Sequence, residues 1–280
     1  MHQTLALILI LTEKNDKPIL LMFDEYKDIF QYGPPEYLNQ VLTNNTIGFS
    51  SLKDFNDPFE SHYSYSHFVK KRNTISQYLQ DVHSNPVNIL ISKIRGKIDK
   101  YLNDLKVSCF SKNPYEPLMW SHYSKKHEGI CYCYDNSKLF NIQQYQFKKV
   151  VYSNEIANII FFEEITSFSM LKPQIESIIC TKSENWAYEK EYRYIIKSEE
   201  SAHKFNVNSL KAIIVGFRHK NITLVEKMIQ DYNNKNNTEV KILYARPSSD
   251  LYKINILPNK QKTNPGRTFY QYDDKDKPIA

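Results

Sequence analysis

Glycine is scarce in this chain: six residues, at 33, 48, 96, 129, 216 and 266, with no pair spaced as Gly-x-Gly and no P-loop. The phosphate cradles of dinucleotide-binding βαβ units, P-loop ATPases and protein kinases need the backbone to come close where a side chain would block it. Those classes are disfavoured, and a nucleotide would have to be held another way. Cysteine is also sparse. The four, at 109, 131, 133 and 180, include no Cys-x-x-Cys pair, so zinc-ribbon and redox motifs lack their geometry. Set among apolar and aromatic neighbours, they read as reduced, mostly buried thiols of a cytoplasmic protein. No long apolar run is present. The early "TLALILIL" is short, has no Lys or Arg before it, and passes into "TEKNDKP" without a small-residue cleavage site. A buried strand is expected there, not a signal peptide or a membrane span. Internal repeats and low-complexity tracts are absent as well.

Aromatic residues, by contrast, are plentiful: 21 Tyr and 15 Phe bring the aromatic share to 14%. Aromatic packing should dominate the core. The net charge of +6 is spread along the chain and mildly favours an anionic partner such as nucleic acid or a phosphorylated cofactor. With 280 residues there is room for one large domain or two small ones. The segmentation expected is one α+β domain of catalytic type over residues 1–257 and a polar tail over 258–280. Runs rich in β-branched and aromatic residues read as strands: "PILLMF", "TIGFSS", "KVSCFS", "GICYCYD", "FKKVVYS", "EYRYIIK", "KAIIVGF", "VKILYA" and "LYKINIL". Helical patterns fall at residues 36–44, in two segments over 74–105 broken near Pro86, at 117–126, around 161–180 and at 222–233. Strands outnumber helices and do not alternate with them, which favours a mostly antiparallel or mixed sheet over a doubly wound fold.

The stretch "VSCFSKNPYEPLMWSHYSKKHEGICYCYD" allows three chemistries. Cys109, His122, His127 and Cys131 could be imagined around zinc, but their spacings match no compact ligand pattern. Ser111 or Cys109 with His122 could form a nucleophile and base, yet no strained elbow exposes the nucleophile. A pocket wall asks for less: Ser111 ends a strand, and Trp120 and Tyr123, three apart on the next helix, share a face able to stack a planar ring. Both rings fit a plain core equally well.

In "TKSENWAYEKEYRYIIK", Glu189 and Glu191 stand two apart at the start of a strand pattern, so extended backbone would point them to one side. Like charges so placed repel unless something cationic or polar uses them. Arg193 continues the alternation and can supply the countercharge, as a salt bridge or as part of a site. Earlier, "QYGPPEYLNQVLTNNTIGFSSLKDFNDPFE" combines Tyr32, a short helix, a strand and the loop "FNDPFE", stiffened by Pro58.

Taken in order, "QYGPP", "LTNNTIGFSSLKDFNDPFE", "VSCFS", "LMWSHYSKKHEGICYCYD", "WAYEKEYR" and "LKAIIVGF" resemble a bacterial family, domain of unknown function twenty-nine seventy-one. The resemblance covers roughly residues 30–217. It departs at Gln31 and Gly33, where the family carries basic residues around the tyrosine. A second likeness, of motif order only, is to the ADP-ribosyltransferase fold, which holds NAD in a cleft of a split mixed or antiparallel β-sheet flanked by helices.

That likeness implies Tyr32 in the first motif, Ser111 with Trp120 and Tyr123 in the middle one, and Glu191 as catalytic glutamate, with Glu189 completing an E-x-E pair and Arg193 beside them. It implies an enzyme consuming NAD as substrate, an ADP-ribosyltransferase or NAD glycohydrolase. Cleaving the nicotinamide–ribose bond generates an oxocarbenium-like ribose that a fixed carboxylate, Glu191, would stabilise. The aromatic face would hold the nicotinamide, Ser111 would orient it, and Glu189 would act as base toward an acceptor. The expected acceptor is a macromolecule, with RNA or DNA favoured by charge. Such enzymes commonly serve as toxins or antiphage defence effectors, restrained by a neutralising partner. The alternative is a non-catalytic module binding nucleic acid or protein, with Glu189, Glu191 and Arg193 as structural ion pairs.

Overall fold

The computed structural model describes residues 23–68, 86–141, 143–162, 168–249 and 251–259. The strand expected at "TLALILIL", the helical segment before Pro86 and the tail beyond residue 259 lie outside the described residues. Strand β1 (Asp28–Gly33) leads into helix α1 (Tyr37–Asn44), then β2 (Thr46–Gly48), β3 (Ser50–Ser51) and β4 (Tyr63–Phe68). Next come α2 (Pro86–Asn103), β5 (Leu105–Ser111), α3 (Pro117–Tyr123), β6 (Ile130–Asp135), β7 (Gln146–Lys149), β8 (Val151–Ser153) and β9 (Ala157–Phe162). The rest is α4 (Lys172–Cys180), β10 (Thr181–Ser183), a 3-10 turn (Glu184–Glu189), β11 (Glu191–Lys197), β12 (Ala202–Lys204), β13 (Leu210–Val215), α5 (Ile222–Asn236), β14 (Lys241–Pro247) and β15 (Ile254–Leu257).

The α+β class holds, and the sheet is mixed. Among the described residues nine strands form it in the order β15-β14-β13-β6-β1-β5-β11-β7, with β3 beside β5. Only β13 and β14 in it run parallel, joined through α5 as a crossover requires. The helix expected around residues 161–180 is shorter: Phe161 and Phe162 belong to β9, which pairs in parallel with β4. "HYSYSHF" and "ANIIFF" form that separate two-stranded sheet, in keeping with the strand preference of their aromatic and β-branched residues.

Alternation along the central strands gives the sheet two unlike faces. One carries Ile29, Phe110, Tyr132, Tyr134, Tyr194 and Ile213 under α1 and α5, and is the aromatic core expected from composition. The other is apolar at both ends. Phe30, Cys131, Cys133, Ile214 and Leu243 pack under Trp120 at one end, and Val107 and Ile195 pack under α2 and α4 at the other. Between them the cross-strand pairs are Glu191 opposite Ser111 and Arg193 opposite Cys109. At the same place the sheet parts, since β1 and β5 are in register only at Phe30 and Ser111.

Candidate functional site

Glu191 and Arg193 point to the second face, between its two apolar ends, because β11 alternates and sends Tyr192 and Tyr194 to the aromatic face. Arg193 is fully buried and uses every N–H it has. Its Nε donates to Glu191 Oε1 at 2.7 Å and Nη2 to Glu191 Oε2 at 3.2 Å. Nη1 and Nη2 donate to the Glu60 oxygens at 2.6 and 3.1 Å, and Nη1 also to the Ile179 carbonyl at 2.5 Å. Glu60 arrives from "FNDPFE": the Glu60 N–H bonds the Asp57 carbonyl at 3.0 Å, while the Asp57 carboxylate accepts from Phe59 N–H at 2.9 Å. The turn that Pro58 stiffens therefore delivers a carboxylate into the sheet. The Phe55 ring lies 5.4 Å from the Arg193 guanidinium.

Lys182, on β10, is the second cation. Its buried ammonium donates to Glu189 Oε2 at 2.6 Å and Glu191 Oε2 at 3.2 Å. Glu189 is not in the strand, contrary to the extended-backbone expectation. It ends the 3-10 turn, and Lys190 follows with a left-handed φ of 47°. The two carboxylates converge all the same, because Lys182 lies between them. Tyr123, from α3, closes the cluster: its hydroxyl donates to Glu189 Oε1 at 2.5 Å and accepts from Asn56 Nδ2 at 3.1 Å.

Three carboxylates thus face two cations in a nearly dry space, and the charges come apart accordingly. Burial pushes Glu191 up, but Arg193 and Lys182 more than offset it and hold its carboxyl at about 2. Burial, reinforced by Glu191 and opposed by Lys182, leaves Glu189 above the usual carboxylate range. Burial also lifts the Cys109 thiol, with Glu191 adding to the rise, which keeps it protonated and a poor nucleophile.

Other expected site residues fall differently. Trp120 is fully buried, donates Nε1–H to the Pro114 carbonyl at 2.8 Å and meets Tyr32 edge-on at 5.2 Å. It is a core residue: α3 turns Trp120 inward and Tyr123 toward Glu189, because three positions advance a helix by less than a full turn. The Tyr32 hydroxyl donates to the Asn113 carbonyl at 2.8 Å, away from the glutamates. Ser111 is buried and gives its hydroxyl hydrogen to the Glu189 carbonyl at 2.6 Å while accepting from Asn113 N–H at 2.9 Å. It braces the turn and has no proton left for a ligand. Arg193 likewise has no free donor. Open grooves of about 560 Å³ beside Tyr63, Arg95 and Asp99 and of about 330 Å³ beside Lys211 and Glu239 involve none of Trp120, Tyr123, Ser111 and Glu191.

A further ring surface beside Lys182 comes from residues that sequence reasoning passed over. Trp186 and Tyr188, on the 3-10 turn, lie half-buried with centroids 6.1 Å apart, and exposed His122 is 6.4 Å from each. The Lys182 ammonium sits 4.9 Å from the Trp186 ring. Trp186 and Tyr188 stood in the quoted "ENWAYE", so their presence was visible though their role was not. Lys182 carried no signal, since a lysine in a three-residue strand resembles any surface lysine. Cys109, His122, His127 and Cys131 do not converge, and no group of three or more His, Cys, Asp or Glu among the described residues is arranged to hold a metal ion. The four cysteines are free. No helix among the described residues is long and apolar enough to cross a membrane.

No curated protein and no solved structure matches the chain. The family resemblance first noted in the motifs is found again in a defined stretch: residues 119–194, which hold Tyr123, Lys182, Glu189, Glu191 and Arg193, match the family described as Protein of unknown function (DUF2971).

Proposed function

We propose that the chain is an NAD-consuming enzyme of ADP-ribosyltransferase type, working through the Glu189–Glu191 pair on a macromolecular acceptor. What supports it is one observation above all. Two carboxylates two residues apart flank a single buried lysine, one held below the usual carboxylate range and the other raised above it, beside a rim of aromatic rings. The excess of carboxylate over cation provides fixed negative charge where a ribose oxocarbenium would develop. The C1′–N bond of NAD breaks with its electron pair leaving on nicotinamide, and an acceptor lone pair forms the new bond to C1′. The acceptor's proton passes to Glu189, whose raised affinity for it suits a general base. The rings of Trp186, Tyr188 and Tyr123 offer the stacking surface first assigned to Trp120 and Tyr123. A role as a toxin or antiphage defence effector, with a neutralising partner, accompanies this reading.

A second reading has its own observation. Arg193 finds a buried partner for each of its N–H groups in Glu191, Glu60 and the Ile179 carbonyl, as the structural ion pairs of a non-catalytic binding module would. Labelled NAD offered to the full chain with RNA, DNA and protein fractions separates the two. Nicotinamide release with label on an acceptor, abolished by Glu189→Gln, is the expected result. Label wholly in free ADP-ribose leaves a glycohydrolase, and absence of nicotinamide under every condition leaves the binding module.

A further inference from the structure

We infer that residues 124–129 and 217–220 form a docking face for single-stranded nucleic acid, continuous with the rim of His122, Trp186 and Tyr188. As the source of the acceptor it rests on the enzymatic reading above; as a binding face it stands without it. The first observation is backbone strain. Lys125, Lys126 and His127 follow one another with φ of 48°, 54° and 70°, a left-handed run of three residues other than glycine. The left-handed region is disfavoured for residues with a Cβ, and such conformations persist where the surroundings impose them, often at working surfaces. Here the helix end imposes it: Lys126 N–H bonds the Ser121 carbonyl and His127 N–H the Trp120 carbonyl, both at 3.2 Å, and Gly129 N–H bonds Ser124 O at 2.8 Å.

The run is then clamped to a second basic segment. Arg218 N–H donates to the His127 carbonyl at 3.1 Å and Gly216 N–H to the Gly129 carbonyl at 2.9 Å. No side chain fits between them, as a Cβ on Gly216 would stand 2.2 Å from His127 O. The clamp sets Lys125, Lys126, Arg218 and Lys220 on one surface. Lys125 pairs with Glu36 and Lys220 with Glu128, whereas Lys126 and Arg218 have no carboxylate partner among the described residues. Both are exposed. The neighbouring His127 and His219 are held below the usual histidine range by burial and so add hydrogen-bonding groups and no charge at neutral pH.

The chemistry favours a single strand. Phosphates would meet Lys126 and Arg218, while bases, unstacked and free to splay, would lie on the rings of His122, Trp186 and Tyr188 at the end of the same helix. A duplex hides its base faces. An acidic peptide would leave the rings unused, and an anionic membrane would find only the half-buried Phe217 to insert, its ring already packed against His127 and Arg218.

The test is fluorescence anisotropy of the full chain with labelled single-stranded RNA and DNA, a duplex, polyglutamate and phosphatidylglycerol vesicles, over a range of salt. Single strands should bind best, with affinity falling steeply as salt rises. Lys126→Glu with Arg218→Glu, or the milder Gln pair, should weaken binding at least tenfold and lower the salt slope by roughly 1.4, about 0.7 for each lost phosphate contact. Trp186→Ala should weaken binding without changing that slope. Absent strand binding, unchanged affinity in both double variants, or a preference for polyglutamate or vesicles overturns the face. Nicotinamide release without strand binding overturns the face alone; strand binding without nicotinamide release upholds it and removes the enzymatic reading.

Discussion

At the scale of single residues, the two glutamates should respond in opposite ways to loss of charge. Glu191→Gln removes the one carboxylate that bonds both buried cations, Arg193 and Lys182, a change that costs about 3–5 kcal/mol in such pairs, or on the order of 10 °C in melting temperature for a chain of this size. Glu191 is therefore no strand-edge charge that can be removed without effect. Glu189→Gln instead brings two carboxylates into balance with two cations, and its melting temperature should stay within a few degrees of the parent. Scanning calorimetry of both variants checks the contrast. The pH dependence has a definite sign. Glu191, held at about 2 against an ordinary 4.5, contributes stability that is present above pH 4.5 and lost as pH falls through about 2. Glu189 acts the other way, its contribution fading as pH rises through its raised value. Urea midpoints should therefore drop below pH 4.5 in the parent, and that acid limb should flatten in Glu191→Gln.

At the scale of elements, the "FNDPFE" turn and the start of β11 are one device built from two segments. Glu60→Gln should destabilise as Glu191→Gln does, and the double variant should depart from additivity by more than about 0.5 kcal/mol, because both act on the same guanidinium. A double-mutant cycle from denaturant unfolding measures it. Glycine tells a similar story at the ends of β1, β6 and β13. A Cβ on Gly129 would stand 2.2 Å from the Gly33 carbonyl, whereas one on Gly48 meets nothing within 4 Å. Gly129→Ala should abolish the cooperative transition or the soluble yield, while Gly48→Ala should change the melting temperature little. Fold-wide, the elements were largely legible: the alternation of "EYRYIIK" and "GICYCYD" foretold both their strands and their faces. Trp120 and Tyr123 were not separable in this way, since a shared helical side does not say which ring is roofed by other strands.

At the scale of the whole molecule, stability should be uneven. The aromatic face joins β1, β5, β6 and β13 under α1 and α5, while among the described residues β4 and β9 pair only with each other. Two strands alone hold marginally, so amides of β4 and β9 should exchange with deuterium well before those of the central strands, as exchange mass spectrometry would show. By itself the amino-acid sequence determined the α+β class, most of the strands, the aromatic core and the exclusion of glycine-cradled phosphate, because hydrophobic period and residue conformational limits act over a few positions. Tertiary structure alone decided that Glu60 meets Arg193 across 133 positions, that Lys182 stands between Glu189 and Glu191, and that Trp120 is core while Trp186 is rim. Local pattern sets the direction in which a side chain leaves the backbone. Its partner, its hydration and hence its charge depend on which distant segment the fold brings opposite it.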